Sequence, residues 1–170
     1  MFDLSIIVIL YKKDIFESET TLSLINAVKK VRDKNVHVLI IDNSEGESVK
    51  ESSFNKLEKQ LSDYASVELT LIFSNENLGV LYNYAVNKVE SQFYCILDHD
   101  TSFDQTYFQS FFEHSRETKV CIFAPKIMQD NRLLYSPKRQ RTIIDIFNAH
   151  KIKALSVGVS GLTSSKGFFA

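Results

Sequence analysis

The sequence predicts an α/β protein with a mostly parallel central sheet. Four short apolar segments, rich in Ile, Val and aromatic residues, each precede a segment with apolar residues at helical spacing. A polar loop follows each apolar segment. Repeated strand and helix units return the chain to one edge of a parallel sheet through right-handed crossovers. We therefore expect the four polar loops to surround a single crevice, where open α/β sheets bind ligands.

The chain begins with a strand, a helix and a second strand. Residues 4–10 are apolar except for Ser5, as in a central parallel strand that is covered on both faces. A helix is predicted over about residues 17–32, with one face against the sheet. Its apolar positions recur every three residues, at Leu22, Ile25, Val28 and Val31. Residues 36–41 are predicted to form a second buried strand, and an acidic loop follows over residues 42–46.

The same pattern continues through the middle of the chain. The second helix is marked by Phe54, Leu57, Leu61 and Tyr64. Residues 67–73 predict a third strand, and the loop over residues 74–79 opens a helix over about residues 80–89. The fourth strand begins near Phe93 and runs out into polar residues.

The last third of the chain has weaker signals. Residues 104–117 predict a helix whose inward face carries Phe108, Phe111 and Phe112. A further strand is predicted over residues 120–124. Residues 133–135 and 142–147 are short β-like segments whose pairing the sequence does not determine.

The composition limits the classes of partner and compartment. The chain has 170 residues, about one domain, and a formal net charge of −1 with scattered basic residues, so nucleic acid is not an expected partner. Cys95 and Cys121 lie in apolar runs and are interpreted as buried thiols of a reducing cytoplasm. The start has no signal-peptide pattern, and no apolar run is long enough to span a bilayer. We expect a cytoplasmic protein.

Two carboxylates, Asp98 and Asp100, follow the fourth strand and are separated by His99. Both can ligate one hard divalent cation, or one can hold the cation while the other accepts a hydrogen bond from a ligand hydroxyl. Either arrangement suits Mg²⁺ or Mn²⁺ that carries a diphosphate. Asp also ends many strands as an ordinary turn residue. The pattern leaves both interpretations open, and His99 is interpreted as a solvent-facing spacer.

Other polar residues of the predicted crevice also have two interpretations each. Tyr11 can stack on a base or simply pack. Asp42 can accept from a base N–H or a ribose hydroxyl, or it can close a turn. Asn77 and Gly79 stand where a helix begins, so their backbone N–H groups can bind an anion, or the two residues can simply cap the helix.

Four motifs together resemble a known family. They lie within residues 5–11, 38–44, 75–85 and 97–101, and their order and spacing resemble the family 2 glycosyltransferases of the GT-A fold. The chain looks most like the bacterial members that resemble rhamnosyltransferases. The resemblance covers nearly the whole chain and implies a three-layer α/β/α sandwich with a mostly parallel central sheet, in one domain over residues 1–170.

The resemblance implies a hexosyltransferase that depends on Mg²⁺ or Mn²⁺ and inverts the anomeric centre. Its donor would be a nucleotide diphosphate sugar linked to UDP or dTDP. Its acceptor would be a saccharide or a lipid-linked saccharide in the synthesis of bacterial surface polysaccharide. The implied location is the cytoplasm, including peripheral association with the inner face of the membrane.

The resemblance also implies roles for individual residues. The implied contacts with the nucleotide sugar are Tyr11, Asp42, Asn77, Gly79, Asp98, Ser160 and Gly161. Tyr11 and Asp42 would contact the base and the ribose. Asp98 and Asp100 would be the metal ligands, with Asp100 bound directly.

The end of the chain departs from the family pattern. Family members continue past a Ser-Gly turn, which Ser160 and Gly161 resemble, into a segment that supplies an Asp or Glu as general base. We expect that base to lie beyond Ala170, in which case the 170-residue chain is an incomplete domain that binds nucleotide weakly. Two alternatives stay open: a non-catalytic module that binds nucleotide sugars, and a sugar-phosphate nucleotidyltransferase. Residues 11–14 lack the glycines that the latter class carries after its first strand.

Overall fold

The computed structural model describes residues 1–117, 127–129 and 132–134. The described strands are β1 (Phe2–Leu10), β2 (Val36–Asp42), β3 (Ala65–Leu71), β4 (Ser91–Asp98), β5 (Ile127–Gln129) and β6 (Arg132–Leu134). The described helices are α1 (Glu19–Val28), α2 (Glu51–Leu61), α3 (Leu78–Lys88) and α4 (Tyr107–Glu117), and a 3-10 turn spans Ile15–Glu17. The chain divides into two compact units, Met1–Ser110 and Phe111–Ala170. A single domain over residues 1–170 stays a prediction.

The first unit contains a four-stranded sheet in the order β3-β2-β1-β4. All three strand pairs are parallel, so the predicted parallel sheet is confirmed. The chain adds β2 and β3 on one side of β1 and then crosses back to add β4 on the other side. The strand order therefore changes direction between β1 and β4, which is where ligands bind in sheets of this type.

The core of this unit lies on both faces of β1 and β2. All seven residues of β2, and β1 from Leu4 to Leu10, are buried, as continuous apolar strands require. The helices α1 and α2 contact each other. Because the chain reverses direction across the sheet between β3 and β4, the rule of right-handed crossovers puts α3 on the face opposite α1 and α2. The result is the predicted α/β arrangement with helices on either side of the sheet.

The predicted helical face of α1 was wrong at one position. Leu22 is 48% exposed, whereas Leu24, Ile25 and Val28 are buried. A spacing of three residues falls about 60° short of a full turn at each step, so four such positions cannot share one face of an α-helix. The helix ends at Val28, and Val31 is buried after its end.

Other boundaries differ by a few residues. The strand predicted to reach Phe73 ends at Leu71, and Phe73 is 61% exposed. The helix predicted from residue 104 begins at Tyr107. Phe108 and Phe112 are buried as predicted, while Phe111 is half-buried.

In the second unit, β5 and β6 form an antiparallel pair. The β-like segment predicted over residues 133–135 overlaps β6, whereas the segments at 120–124 and 142–147 lie outside the described residues. None of the helices in the described part of the chain is long and apolar enough to cross a membrane.

Candidate functional site

Four loops follow β1 to β4 at one edge of the sheet, and we call them the rim. They comprise residues 11–18, 43–50, 72–77 and 99–106. Leu10 pairs with Asp42, and Asp42 pairs with Leu71. On the other side of β1, Asp98 pairs with Ile9. The strands therefore end nearly level with one another, which confirms that their loops lie at one edge of the sheet. A single crevice between the loops stays a prediction.

Asp42 is buried at the end of β2, with 2% of its surface exposed. Its Oδ1 accepts hydrogen bonds from the amide and the hydroxyl of Ser44, at 3.1 and 2.5 Å. Its Oδ2 accepts from the amides of Ser48 and Val49, at 2.9 and 3.0 Å. A carboxylate offers about four acceptor positions, so these bonds occupy the group and favour the turn interpretation. For Asp42 to contact a base or a ribose, one of these loop donors would have to break its hydrogen bond with the carboxylate. The contact with a nucleotide stays a prediction.

Ser44 and Asn43 connect this loop to its neighbours. The Ser44 Oγ accepts a hydrogen bond from the Lys12 amide at 2.8 Å, and Lys12 adopts a left-handed backbone with φ 53°, which is uncommon outside glycine. The Asn43 side chain exchanges two hydrogen bonds with the backbone of Glu76. The loops after β1, β2 and β3 therefore form one hydrogen-bonded unit.

Tyr11 is half-buried on this unit, beside an exposed cation. The Nζ of Lys12 lies 4.8 Å from the centroid of the Tyr11 ring. A hydrogen bond with the Tyr11 side chain raises the pKa of Lys12. The aromatic ring of Tyr11 and the positive charge of Lys12 thus lie side by side on the rim. Stacking of a base on Tyr11 stays a prediction.

Asn77 caps α3, and Gly79 allows that cap to form. The Asn77 Oδ1 accepts a hydrogen bond from the Gly79 amide at 2.8 Å. A Cβ at Gly79 would lie 3.1 Å from the same oxygen, closer than side chains normally pack. Both residues stand at the start of a helix, as predicted, although α3 begins at Leu78 rather than Val80. Contact between these residues and a nucleotide stays a prediction.

Asp98 and Asp100 lie where β4 meets its loop, next to the change in strand direction. Asp98 is half-buried, and its charge adds to the effect of burial in raising the pKa of Tyr82, on α3, to about 12. Asp100 is exposed, and its carboxylate makes no hydrogen bond or ion pair with the residues that the structure describes. One carboxylate is therefore half-buried and acts electrostatically on Tyr82, and the other is exposed.

The carboxylate oxygens of Asp98 and Asp100 are suitable ligands for a hard divalent cation. Asp98 and Asp100 supply only carboxylate oxygens, the ligands that Mg²⁺ and Mn²⁺ prefer. Within the described residues, no group of three or more His, Cys, Asp or Glu side chains could hold a metal ion. Mg²⁺ usually takes one or two protein carboxylates and fills its remaining positions with phosphate oxygens and water. Two carboxylates therefore suit a cation that arrives with a diphosphate, and metal binding stays a prediction.

Sequence reasoning missed a set of hydroxyl groups at the start of α1. The Thr20 Oγ1 donates to the carbonyl oxygens of Asp98 and Thr101 and accepts from the Thr101 amide. The Ser18 Oγ donates to the His99 carbonyl at 2.8 Å. Ser18 could be recognised as an N-cap from its residue type. Nothing local in the sequence indicates its second contact, with a loop 81 residues later.

The last two predicted site residues belong to the C-terminal part of the sequence. Ser160 and Gly161 lie outside the described residues, and their contact with a donor sugar stays a prediction.

Comparisons with known proteins agree with this architecture. A family model described as "Glycosyl transferase family 2" matches residues 5–167. Among solved structures, "Crystal structure of S. aureus TarS 1-349" is similar, with a TM-score of 0.51 and 17% sequence identity. The match covers 68% of this chain and 32% of that one, so this chain spans about a third of the length of that crystallised chain. No curated protein shows a significant match.

Proposed function

We propose a function for this chain from one premise: it belongs to glycosyl transferase family 2, whose model spans residues 5–167. The chain is proposed to bind a nucleoside diphosphate sugar and to transfer the sugar to an acceptor hydroxyl. The observation that supports this most directly is the turn with Asp98 and Asp100 at the carboxyl edge of the sheet, beside the change in strand direction. Ligands of open α/β sheets bind at such a point.

The nucleotide is proposed to lie on the unit formed by the first three rim loops. The Tyr11 ring offers a stacking surface for a base, and Lys12 adds a positive charge beside it. The buried hydrogen bonds of Asp42 and Asn43 hold these loops in place before the ligand arrives. A preorganised surface binds a ligand more tightly because its loops lose less conformational entropy on association. A uridine or deoxythymidine diphosphate is the proposed carrier.

The diphosphate is proposed to bind with Mg²⁺ or Mn²⁺ at Asp98 and Asp100. When bound, the cation would supply Lewis-acid stabilisation of the charge that develops on the departing diphosphate. Asp98 is half-buried as the last residue of β4, whereas Asp100 is exposed and open to a ligand. This pairing of one half-buried and one exposed carboxylate supports a site for an ion that enters with its substrate.

The transfer itself is proposed to invert the anomeric carbon. The acceptor oxygen forms a bond to that carbon as the bond to the diphosphate oxygen breaks, and the acceptor proton passes to a general base. We assign the base to none of the described residues. The acceptor class, a saccharide or lipid-linked saccharide of the bacterial surface, and the hexosyl or rhamnosyl donor rest on the resemblance of the motifs. A site of action at the inner face of the membrane rests on the same resemblance.

Thermal unfolding with Mn²⁺ and UDP or dTDP tests the proposed site. A ligand at one hundred times its dissociation constant stabilises the native state by about 2.7 kcal/mol, a readily measured rise in midpoint. Asp100→Ala should abolish the rise that depends on Mn²⁺. Asp63→Ala is the matched control, because Asp63 is also an exposed aspartate but lies in the loop between α2 and β3.

The outcomes separate the classes of function. A rise that survives Asp100→Ala would contradict the proposed metal site, and the absence of any rise would contradict nucleotide binding by this chain. Release of nucleoside diphosphate from a nucleotide sugar would identify an enzyme. Binding without release, in a protein that includes any further segments of the natural chain, would identify a non-catalytic module.

A further inference from the structure

The start of α1 meets the turn that carries both aspartates. This turn spans residues 98–101, so Asp98 opens it and Asp100 lies near its centre. We infer that Thr20 is a positioning residue: its hydroxyl holds this turn in the shape that brings the Asp98 and Asp100 carboxylates to one cation. The inference rests on the proposed function, because it assigns a purpose to the turn that the proposed metal site would use.

The Thr20 hydroxyl touches both ends of the turn. It reaches the carbonyl oxygen of Asp98, the first residue. At the last residue it accepts from the Thr101 amide and donates to the Thr101 carbonyl, both at 2.9 Å. Because a hydroxyl has a single hydrogen, the two carbonyl oxygens share it, while the amide bond uses a lone pair. One side chain thus fixes the distance across the turn.

Neighbouring hydroxyls of α1 hold the rest of the loop. The Ser18 Oγ donates to the carbonyl of His99, between the two aspartates, and also accepts from the Thr21 amide as the cap of α1. The Ser23 Oγ accepts from the Phe103 amide at 3.3 Å. The bonds from Ser18 to His99 and from Ser23 to Phe103 both go to the backbone of the loop. They therefore set the path of the loop through its backbone and do not involve the carboxylate of either aspartate.

Burial makes the Thr20 contact difficult to replace. Thr20 and Ser18 are both fully buried, at 0% exposure, so water does not readily take over the bonds of a missing hydroxyl. A buried carbonyl or amide without a partner is costly, and the turn would move to find one. The Asp100 carboxylate has no hydrogen bond or ion pair with the described residues, so its position depends on the backbone of the turn. A shift of the turn would therefore move Asp100 relative to Asp98.

The chain offers a matched control at the next position. Thr21 is also fully buried in the first turn of α1, but its Oγ1 has no hydrogen-bond partner among the described residues. Thr20→Val and Thr21→Val each replace a buried hydroxyl by a methyl group of similar size. Only Thr20→Val removes bonds to the turn. Thr20→Ser restores the hydroxyl and is the rescue variant.

The readout is the effect of the metal on nucleotide affinity. The Kd of UDP or dTDP is measured by calorimetry with Mn²⁺ and with EDTA, and the ratio of the two values gives the coupling between metal and nucleotide. Residues that orient metal ligands typically change metal affinity by about 10-fold or more when they are replaced. We expect Thr20→Val to reduce the coupling ratio by about 10-fold while the Kd in EDTA is unchanged. Thr20→Ser and Thr21→Val should keep the ratio of the native protein.

Each result has a definite meaning. If the native protein shows no coupling, the proposed metal site fails and this inference fails with it. If the native protein shows coupling that Thr20→Val retains, only this inference is overturned. Circular dichroism and thermal unfolding verify that the variants fold. If Thr20→Val does not fold, Thr20→Ala compared with Thr20→Ser gives the same test. Unfolding of Thr20→Ala as well would overturn the inference, because Thr20 would then support the whole fold.

Discussion

Asn43 and Glu76 exchange two hydrogen bonds across the rim. The Asn43 Nδ2 donates to the Glu76 carbonyl at 3.0 Å, and the Glu76 amide donates to the Asn43 Oδ1 at 2.8 Å. The buried side-chain amide of Asn43 therefore pairs with the backbone as a neighbouring strand would, 33 residues along the chain. These two hydrogen bonds fix the loop after β3 against the loop after β2, next to the cap of α3.

Asn43→Ala should destabilise the protein by about 1–3 kcal/mol, because it leaves the Glu76 amide and carbonyl without these partners. The free energy of unfolding is measured by urea titration. Asn55→Ala, at an exposed position of α2, is the control and should change stability much less. Equal stability of the two variants would contradict the role given to the Asn43 pair.

Asp42→Asn should cost about 3 kcal/mol of stability without ligand, because it replaces one carboxylate oxygen by an N–H₂ group that faces two hydrogen-bond donors. Urea titration measures the change, with exposed Asp63→Asn as the control. The result also distinguishes the two interpretations of Asp42. A variant that keeps its stability but loses nucleotide affinity would show that ligand contact outweighs closure of the loop.

His37 is a buried titratable group on the sheet, with 4% of its surface exposed. Its Nδ1 has no hydrogen-bond partner in the described part of the chain, and its Nε2 lies 3.6 Å from Glu68. Burial lowers the pKa of His37 below its usual 6.5, the Glu68 carboxylate opposes this shift, and Lys88 adds to it. Folding therefore disfavours the protonated form of this imidazole.

The protein should lose stability as the pH falls. The unfolded chain binds the His37 proton more readily than the folded one, so this residue costs no stability above the unfolded pKa of 6.5 and becomes unfavourable below it. The free energy of unfolding should decrease between about pH 7 and pH 5, and His37→Gln should remove part of that decrease. Urea titrations at several pH values measure both slopes. Identical slopes in the two proteins would contradict the prediction.

Cys95 should be unreactive in the native protein. Burial raises the pKa of its thiol to about 12, although a hydrogen bond with Tyr107 acts in the opposite direction. The thiolate is the reactive form, and a buried thiol reacts only when the structure opens. In a Cys121→Ser background, reaction with a disulfide reagent should be at least about 100-fold slower without urea than with it.

An exposed thiol provides the comparison for this rate. Ser52 is exposed on α2, so Ser52→Cys in a background with Cys95→Ser and Cys121→Ser should react at nearly the same rate with and without urea. A native Cys95 that reacts as fast as this exposed cysteine would show that β4 opens readily. The thiol would then not belong to a stable core.

The central strands were predictable because their environment demands a continuous apolar sequence. The predicted strands at residues 4–10 and 36–41 lie within β1 and β2, which are buried on both faces. Because the strands are parallel, the polar loops that follow them were correctly predicted to lie at one edge of the sheet. The face of α1 was not predictable in the same way. Leu22 satisfies a three-residue spacing, but only the packed sheet shows that this side of the helix faces solvent.

The order of strands and helices, their parallel arrangement and the position of Asp98 and Asp100 after β4 were all predictable from the sequence, apart from shifts of a few residues at the boundaries. Periodicity and residue type carry that information locally. The contacts that hold these elements in place became visible only in the folded chain. The Thr20 hydroxyl meets the Asp98 carbonyl 78 residues away, and Asp42 directs both oxygens into its own loop. A hydrogen bond depends on where its donor and acceptor lie in space, and the register of the sheet brings distant segments together.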